Sequence, residues 1–195
     1  FRVADFMEGE SMRLADGLMA SSANIADYAA NRYGVRRDSI HVVHCGVDCE
    51  IFKPLAPGHP RHRRPTILFV GNAVPSKGVW CLFEAVMALR ARYPDIRLQI
   101  LGQSDQMEPL RQRAEALGAG GNLEIVGFVA DRSLMPAYYQ HAHVFASPAY
   151  HEVGVANVYV EAMACGCPVL ACNTGGAPEA VRHEESGILV PPKDI

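Results

Sequence analysis

Two carboxylates flank a stretch of the sequence that is otherwise small, apolar or uncharged. The stretch HEVGVANVYVEAMACGCPVLA covers residues 151–171, and its acidic residues are Glu152 and Glu161. A carboxylate can accept two hydrogen bonds from a vicinal diol such as that of a ribose. Glu161 could therefore hold a nucleoside, and Glu152 a second polyol. The alternative is structural, with Glu161 stabilising the first turns of a helix and Glu152 a solvated loop charge.

The residues between the two glutamates predict an anion site. The loop GVA follows the end of a strand, Asn157 is expected to cap the next helix, and Gly166 is expected to end it. In a parallel α/β sheet such a loop opens at the carboxyl edge, where free N–H groups and the positive end of the helix dipole bind anions. Glu161 would lie one turn into this helix, next to a bound phosphate. Gly154 would let such a ligand approach the backbone closely.

A second glycine-containing turn is predicted at the same edge of the sheet. The segment FVGNAVPSKGVW, residues 69–80, runs from a strand through Gly71 into a helix expected to start near Lys77. It resembles a P-loop but lacks that pattern, because Ser76 precedes the lysine and Gly78 follows it. Lys77 is then a single positive charge near a helix start, which suits the oxygens of a diphosphate. A solvated lysine is the alternative, and the presence of two such loops argues against it.

The fold class follows from short β-rich runs that alternate with helical patterns. This alternation predicts an α/β fold with a Rossmann-like parallel sheet and helices on both faces. Strands are predicted at 17–21, 39–43, 66–70, 96–101, 123–127, 143–147 and 168–172. Helices are predicted at 24–33, 78–92, 106–117, 132–140, 157–165 and 177–182.

The composition changes once, in KPLAPGHPRHRRPT at residues 53–66. Its prolines and lack of periodicity predict a linker at 54–64, between the tail of one domain at 1–53 and most of a second at 65–195. The sequence starts at Phe1 and ends in VPPKDI, so a fragment of a longer chain is expected. A solvated hinge is the preferred interpretation of the linker's basic cluster, and a phosphate-binding patch is the alternative. The cluster consists of His59, Arg61, His62, Arg63 and Arg64.

The overall composition indicates which kind of binding partner and which cellular compartment to expect. With a formal net charge of −3, the chain lacks the excess of positive charge that nucleic-acid binding needs, so a small-molecule partner is expected. The six cysteines are expected to be reduced, buried hydrophobes, which fits the cytoplasm. We expect no metal site, because there is no Asp-x-Asp pair and the set around His41, His44, Cys45 and Cys49 lacks a zinc spacing. The two histidines are expected to be partly buried strand residues.

Three segments together resemble a known family. GVANVYVEAMACGCPVLACNTGGAPEAV, FVGNAVPSKG and HCGVDCEIFKP look like glycosyltransferase family 4, the retaining sugar transferases with two Rossmann-like domains, called GT-B. The resemblance covers nearly the whole chain. Residues 1–53 resemble the end of the acceptor-side N-terminal domain, and 65–195 resemble the nucleotide-sugar domain without its final helices.

The resemblance implies an activity and its partners. A hexosyl unit would pass from a nucleoside-diphosphate sugar to a hydroxyl of a glycan, lipid or small-molecule acceptor, with retention at the anomeric carbon. No cofactor is implied beyond this donor substrate. Peripheral membrane contact is left open for the rest of the N-terminal domain. The full-length protein would then be an enzyme, a retaining hexosyltransferase. The fragment alone is expected to be inactive.

The resemblance also implies a role for each matched residue. Glu161 would hold the ribose, Glu152 the transferring sugar, and Lys77 the diphosphate; Lys77 and Glu152 would be the catalytic residues. The base would lie against Phe128 and Val129. The implied donor-binding residues are Gly71, Asn72, Lys77, Phe128, Val129, Gly154, Val155, Ala156, Asn157 and Glu161.

The sequence departs from the family pattern at two places. The family places one residue fewer between its two glutamates, which puts Val153 at the first position and requires a bulge for Glu152 to reach the sugar. The family also carries an arginine after the first glycine, where this chain has Asn72. A neutral amide brings no charge to a diphosphate. Arg132 is a candidate substitute, and a surface residue at a helix start is the alternative.

Two other functions remain open at this stage. A nucleoside-diphosphate-sugar epimerase of the same architecture would need catalytic acids at the cleft, and the sequence does not identify them. A non-catalytic nucleotide-sugar-binding remnant is the second alternative, because most of the acceptor-side domain is absent from this sequence.

Overall fold

The computed structural model describes residues 2–58 and 61–194, which form two parallel β-sheets and the helices packed on them. The strands are β1 (Leu18–Ala20), β2 (Ile40–Val42), β3 (Thr66–Val70), β4 (Arg97–Leu101), β5 (Leu123–Gly127), β6 (Val144–Ser147), β7 (Val169–Cys172) and β8 (Gly187–Val190). The α-helices are α1 (Arg2–Leu14), α2 (Ala23–Tyr33), α3 (Val79–Leu89), α4 (Met107–Ala116), α5 (Met135–His141), α6 (Asn157–Ala164) and α7 (Ala177–Ala180).

The larger sheet has six parallel strands in the order β5-β4-β3-β6-β7-β8. From the central strand β3 the chain moves outward through β4 and β5, returns to the centre at β6, and then moves outward the other way. In open α/β sheets a ligand crevice lies outside the carboxyl ends of the strands at this reversal. The predicted α/β fold with a parallel sheet is confirmed.

The strands alternate their side chains between two apolar cores, one on each face of this sheet. Leu68 and Phe145 pack with α5 and α6, whereas their neighbours Phe69 and Ala146 pack with α3 and α4. The cores form because strand residues point to opposite faces with a period of two, so a continuous apolar run is buried on both sides. The sheet therefore has helices on both faces.

The amino-terminal elements form a small unit of their own. Strands β1 and β2 pair in parallel, and Ala20 and Ile40 pack against Ala26, Ala29 and Tyr33 of α2. Helix α1 was not predicted, and Val3 and Leu14 on it are exposed. Val3, Phe6 and Met7 do have helical spacing in the sequence, but the apolar face that they form is exposed.

Element ends differ from the predictions by a few residues. Helix α3 ends at Leu89 rather than 92, and the segment from Arg132 starts as a 3₁₀ turn before α5 begins at Met135. Asp131 caps that turn by accepting a hydrogen bond from the Ser133 N–H at 2.9 Å. The eighth strand, β8, was not predicted.

The basic segment before β3 is anchored to the domain by two of its arginines, so the expected solvated hinge is wrong for Arg61 and Arg64, whereas Arg63 is exposed. Arg61 donates hydrogen bonds to the carbonyls of Ala142 and Gly166, and Arg64 to those of Asp95 and Gly121. His59 lies outside the described residues. The guanidinium groups satisfy backbone carbonyls at loop ends, which leaves little of their donor capacity for a phosphate.

Two expectations about burial are wrong. Cys45 and Cys49 are exposed, although Cys165, Cys167 and Cys172 are buried as expected. His41 and His44 are exposed rather than partly buried. The reason is that β2 lies at the surface and the chain after Val42 runs as an irregular segment. No helix in the described part of the chain is both long and apolar enough to cross a membrane.

Candidate functional site

A cavity of about 620 Å³ opens at the carboxyl edge of the larger sheet, near the reversal between β3 and β6. Its walls are mostly apolar or backbone, and Arg132 and Glu161 are the charged residues among those that line it. The lining residues are Val70, Gly71, Asn72, Leu101, Gly102, Phe128, Val129, Ala130, Arg132, Met135, Val155, Asn157, Val158 and Glu161. An apolar pocket with a few convergent polar groups is the usual form of a small-molecule site.

Glu161 is the buried acid of this cavity. Its residue is 5% exposed, and its two carboxylate oxygens have separate donors. Arg132 Nη2 lies 2.6 Å from Oε1, and the Tyr139 hydroxyl donates to Oε2 at 2.9 Å. A buried carboxylate is costly unless it is paired and hydrogen-bonded, so these contacts explain how it is tolerated. Arg132 was predicted as either a cleft cation or a surface residue, and the structure places it at the cleft.

Tyr139 holds Glu161 from the core side of α5. Burial raises the pKa of the Tyr139 hydroxyl strongly, and the neighbouring Glu161 carboxylate raises it further. The hydroxyl is therefore protonated and acts as a donor to the carboxylate. No pattern in the sequence identifies this partner, because a tyrosine in an apolar helix is equally suited to core packing.

The start of α6 differs from the prediction at Asn157. The N-cap is Ala156, Asn157 is the first helical residue, and no side chain among the described residues caps this end. The predicted capping role is therefore wrong. Asn157 is exposed and lines the cavity, so the N–H groups of the first turn and the positive end of the helix dipole are left for a ligand. Gly166 has the predicted left-handed conformation, with φ 71°.

The first glycine turn packs tightly against the next strand. Gly71 has φ 146° and its N–H donates to the Leu101 carbonyl at 2.9 Å. A Cβ at Gly102 would lie 2.1 Å from the Gly71 carbonyl oxygen, so only glycine fits there. Gly102 was missed from the sequence, although its position directly after β4 matches that of Gly71 after β3. Asn72, next to Gly71, is exposed and lines the cavity.

Lys77 lies just before the start of α3, close to the predicted helix start. It ends a 3₁₀ turn, Pro75–Lys77, and α3 starts after Gly78. Gly78 has φ 70°, and a Cβ there would lie 2.2 Å from the Pro148 carbonyl oxygen. The turn packs against the chain that follows β6, because the Tyr150 N–H also donates to the Ser76 carbonyl at 3.1 Å.

That packing brings Lys77 to Glu152. Lys77 Nζ lies 2.6 Å from Glu152 Oε2, with the two side chains 32% and 12% exposed. Val153 is 53% exposed, so Glu152 is the residue that turns toward Lys77 in spite of the extra position in the sequence. Neither Lys77 nor Glu152 is among the residues that line the cavity, and the same is true of Gly154 and Ala156.

The remaining predicted residues form the rim of the cavity. Phe128 is 70% exposed, and Val129 is partly buried against the core on the α5 side of the sheet. Sequence reasoning missed the apolar wall made by Val70, Leu101, Ala130, Met135 and Val158. Strand ends and a helix face supply these residues, and their types are also those of an ordinary core.

Within residues 2–58 and 61–194, no three His, Cys, Asp or Glu side chains lie together in a group that could hold a metal ion.

Comparisons with known proteins identify the family of this chain. The family model described as glycosyl transferases group 1 matches residues 64–195. The GDP-mannose-dependent alpha-(1-6)-phosphatidylinositol monomannoside mannosyltransferase of Mycobacterium tuberculosis is 36% identical in an alignment that covers 77% of this chain and 42% of that protein. The D-inositol 3-phosphate glycosyltransferase of Jonesia denitrificans is 30% identical in an alignment that covers 94% of this chain and 47% of the relative. The chain thus spans about half the length of these curated relatives.

Solved structures share the fold. Sucrose-phosphate synthase from Thermosynechococcus elongatus superposes with a TM-score of 0.81 at 29% identity, covering 100% of this chain and 50% of that one. HepE of Anabaena in complex with UDP and glucose gives a TM-score of 0.80 at 27% identity, covering 98% and 53%. The matched residues include both glycine turns and the helix that carries Glu161. The chain belongs to the glycosyl transferases group 1 family.

Proposed function

We propose that the chain is the nucleotide-sugar-binding part of a retaining hexosyltransferase of glycosyltransferase family 4. The observation that carries this proposal is Glu161, a buried carboxylate held by two donors, beside a cavity that also receives the uncapped start of α6. A carboxylate with fixed oxygens is suited to a ribose diol, and a helix N-terminus is suited to the phosphate that follows the ribose.

Two cations would serve the diphosphate. Lys77 approaches from the turn after β3, and Arg132 lies in the cavity with its side chain 72% exposed. Asn72 brings no charge to this site, and we propose that Arg132 supplies the second cation in its place. A guanidinium has five N–H donors, so Arg132 can keep its bond to Glu161 and donate to a phosphate oxygen as well.

Glu152 would hold the transferring hexose. Its carboxylate meets Lys77 at 2.6 Å, so a sugar bound to Glu152 would lie next to a diphosphate bound to Lys77. This arrangement puts the charge-stabilising groups where negative charge develops as the sugar leaves the diphosphate, which is the main contribution the protein would make. Transfer to the acceptor hydroxyl would proceed with retention at the anomeric carbon.

The acceptor is proposed from the relatives alone. The mannosyltransferase and the glycosyltransferase that resemble this chain are named for phosphatidylinositol monomannoside and inositol 3-phosphate. Inositol-containing acceptors are therefore the first to test with GDP-sugars and UDP-sugars in a transfer assay of the longer protein. Binding of nucleotide without transfer would favour the non-catalytic alternative, which Asn72 supports because it removes a charge from the diphosphate site.

The decisive experiment is on Glu161. Calorimetry of Glu161→Gln should show binding of GDP or UDP weakened roughly ten- to hundredfold, because a charged hydrogen bond contributes about 1.5–3 kcal/mol. The 2′-deoxy nucleotide, which already lacks one hydroxyl, should lose less. Glu185→Gln is the control, since that carboxylate is exposed and pairs only with Arg182 in the described residues. Equal losses for the two nucleotides would assign Glu161 to structure.

A further inference from the structure

Glu179 joins the amino-terminal unit to the larger domain and has no role in the donor site proposed above. It lies in α7, and its side chain is 20% exposed. Its Oε2 accepts a hydrogen bond from the Ala23 N–H at 2.7 Å, and its Oε1 from the Asn24 N–H at 2.9 Å. Both N–H groups belong to the first turn of α2, which has no intrahelical acceptors for them. One carboxylate thus caps a helix of the other unit.

The charge of Glu179 suits this position. His44 Nε2 lies 3.0 Å from Oε2, and the positive end of the α2 dipole faces the carboxylate. Burial raises the pKa of Glu179, but the hydrogen bonds from His44, Asn24 and Ala23 outweigh it and leave the pKa below its ordinary value. Glu179 is therefore ionised at neutral pH.

The same end of α2 rests on the loop that carries Glu152. The Asn24 side-chain amide donates to the Val153 carbonyl. Ile25 packs against Gly154 so closely that a Cβ on this glycine would lie 2.6 Å from Ile25 Cδ1. Residues 152–155, the clamped loop, therefore have the first turn of α2 on one side.

The turn before α7 lies on the other side of the clamped loop. A Cβ at Gly175 would lie 1.5 Å from the Glu152 carbonyl oxygen, and one at Gly176 would lie 2.3 Å from the Gly154 carbonyl carbon. Both glycines are therefore required by close approach to backbone. The clamped loop is enclosed between α2 and the Gly175–Gly176 turn. Glu179, in the helix α7 that follows this turn, accepts hydrogen bonds from α2 and so links the two sides.

We propose that Glu179 is a positioning residue that fixes the clamped loop by fastening α2 to α7. By holding the loop, Glu179 fixes the position of Glu152 opposite Lys77. It also fixes the path of the backbone into the start of α6. The consequence for ligand binding rests on the proposed function, whereas the effect on the loop itself does not. Glu179 would act without touching the donor, because its carboxylate is occupied by Ala23, Asn24 and His44.

The test compares Glu179→Gln with Glu185→Gln, a matched change at an exposed carboxylate of the segment after α7. An amide cannot accept at both positions, so the bidentate cap is lost. In ¹H–¹⁵N NMR spectra, Glu179→Gln should shift or broaden the amide resonances of Gly154 and Val155 as well as those of Ala23 and Asn24. Glu185→Gln should leave all four unchanged.

Two results would overturn the proposal. Glu179→Gln could move only the Ala23 and Asn24 resonances, which would make Glu179 a local helix cap, or it could move none of the four. If Glu179→Gln does not fold, Asn24→Ala tests the α2 contact through which Glu179 would act on the loop, because it removes the hydrogen bond to Val153 and leaves the carboxylate in place. Unchanged Gly154 and Val155 resonances in Asn24→Ala would then refute the coupling.

Measurements of nucleotide binding distinguish a failure of this proposal from a failure of the proposed function. Calorimetry with GDP and with UDP should show binding to Glu179→Gln weakened about tenfold, because the displaced loop would cost about one charged contact between the start of α6 and the phosphates. Full nucleotide affinity together with disturbed Gly154 and Val155 resonances would overturn the part that concerns the donor site. Failure of the unaltered chain to bind either nucleotide would refute the proposed function, and the NMR comparison would still decide whether Glu179 positions the loop.

Discussion

Lys77 and Glu152, 75 positions apart in the sequence, form an ion pair in which Nζ and Oε2 are 2.6 Å apart. Each belongs to a different loop at the carboxyl edge of the sheet, so the pair joins the turn after β3 to the chain after β6. Because both side chains are largely buried, each charge depends on the other for solvation. Changing either residue therefore affects its partner, and the two proposed roles must be tested with ligands that separate them.

Lys77→Ala should weaken binding of a nucleoside diphosphate far more than binding of the nucleoside. The ammonium would touch only phosphate, and a charged hydrogen bond contributes about 1.5–3 kcal/mol, or roughly ten- to hundredfold in affinity. Calorimetry with GDP and guanosine, and with UDP and uridine, measures the difference. Lys53→Ala is the control at an exposed lysine. Equal losses for nucleotide and nucleoside would mean that Lys77 acts through the fold.

Glu152→Gln should leave binding of the free nucleoside diphosphate unchanged or slightly tighter, because removing the carboxylate releases Lys77 and takes a negative charge away from the diphosphate. Binding of the sugar-bearing donor should weaken, since the proposed partner of Glu152 is the hexose. The measurement is the ratio of the dissociation constants of the nucleotide sugar and the nucleotide. A ratio equal to that of the unaltered chain would remove Glu152 from the sugar site.

Arg132→Ala should weaken both nucleoside and nucleoside diphosphate, with the larger loss for the diphosphate. The nucleoside is affected because Glu161 loses a donor at 2.6 Å and keeps only Tyr139 in the described structure. The additional loss for the diphosphate reports a direct contact with phosphate. Tyr139→Phe is the comparison, because it removes the other donor to Glu161 and should weaken nucleoside and diphosphate equally. If Arg132→Ala behaves in the same way as Tyr139→Phe, Arg132 only orients Glu161.

The sequence predicted the parts of the fold that depend on local patterns. The apolar run 66–70 coincides with the central strand β3, because a buried parallel strand needs side chains that suit both faces. The run 123–127 coincides with β5, an edge strand whose residues are all partly buried. Helix α1 and strand β8 were missed, although Val3, Phe6 and Met7 have helical spacing; β8 is a four-residue run, GILV, directly before a proline.

The site was predictable where it depends on backbone shape and less so where it depends on distant partners. Glycine turns and a helix start after strand ends indicated Gly71 and Asn157 correctly as part of the cavity wall. The partners of the two glutamates come from other elements: Tyr139 from α5, 22 positions before Glu161, and Lys77 from the turn after β3. No local spacing encodes such contacts, because they arise from the order of the strands in the sheet.

The free energy of unfolding should fall as the pH is lowered below about 6.5, through two histidines at the end of the sheet opposite the cavity. Burial lowers the pKa of His143 below 6.5, and the charge of Arg61 lowers it further. Burial, Arg97 and His141 lower the pKa of His62 in the same way. His143 Nδ1 accepts the Thr66 N–H at 3.1 Å, which also requires a neutral nitrogen.

A folded-state pKa below the unfolded value means that the unfolded chain takes up protons first. Stability is therefore complete above about pH 6.5, falls as the pH drops through that value, and levels off below the folded pKa. His143→Asn keeps an acceptor for Thr66 and removes one titrating group, so its unfolding free energy should depend less on pH. Denaturant unfolding at several values between about pH 8 and pH 5 gives the slope of unfolding free energy against pH for each variant. His41→Asn, at an exposed position, is the control, and identical slopes for the two variants would assign the acid sensitivity to other groups.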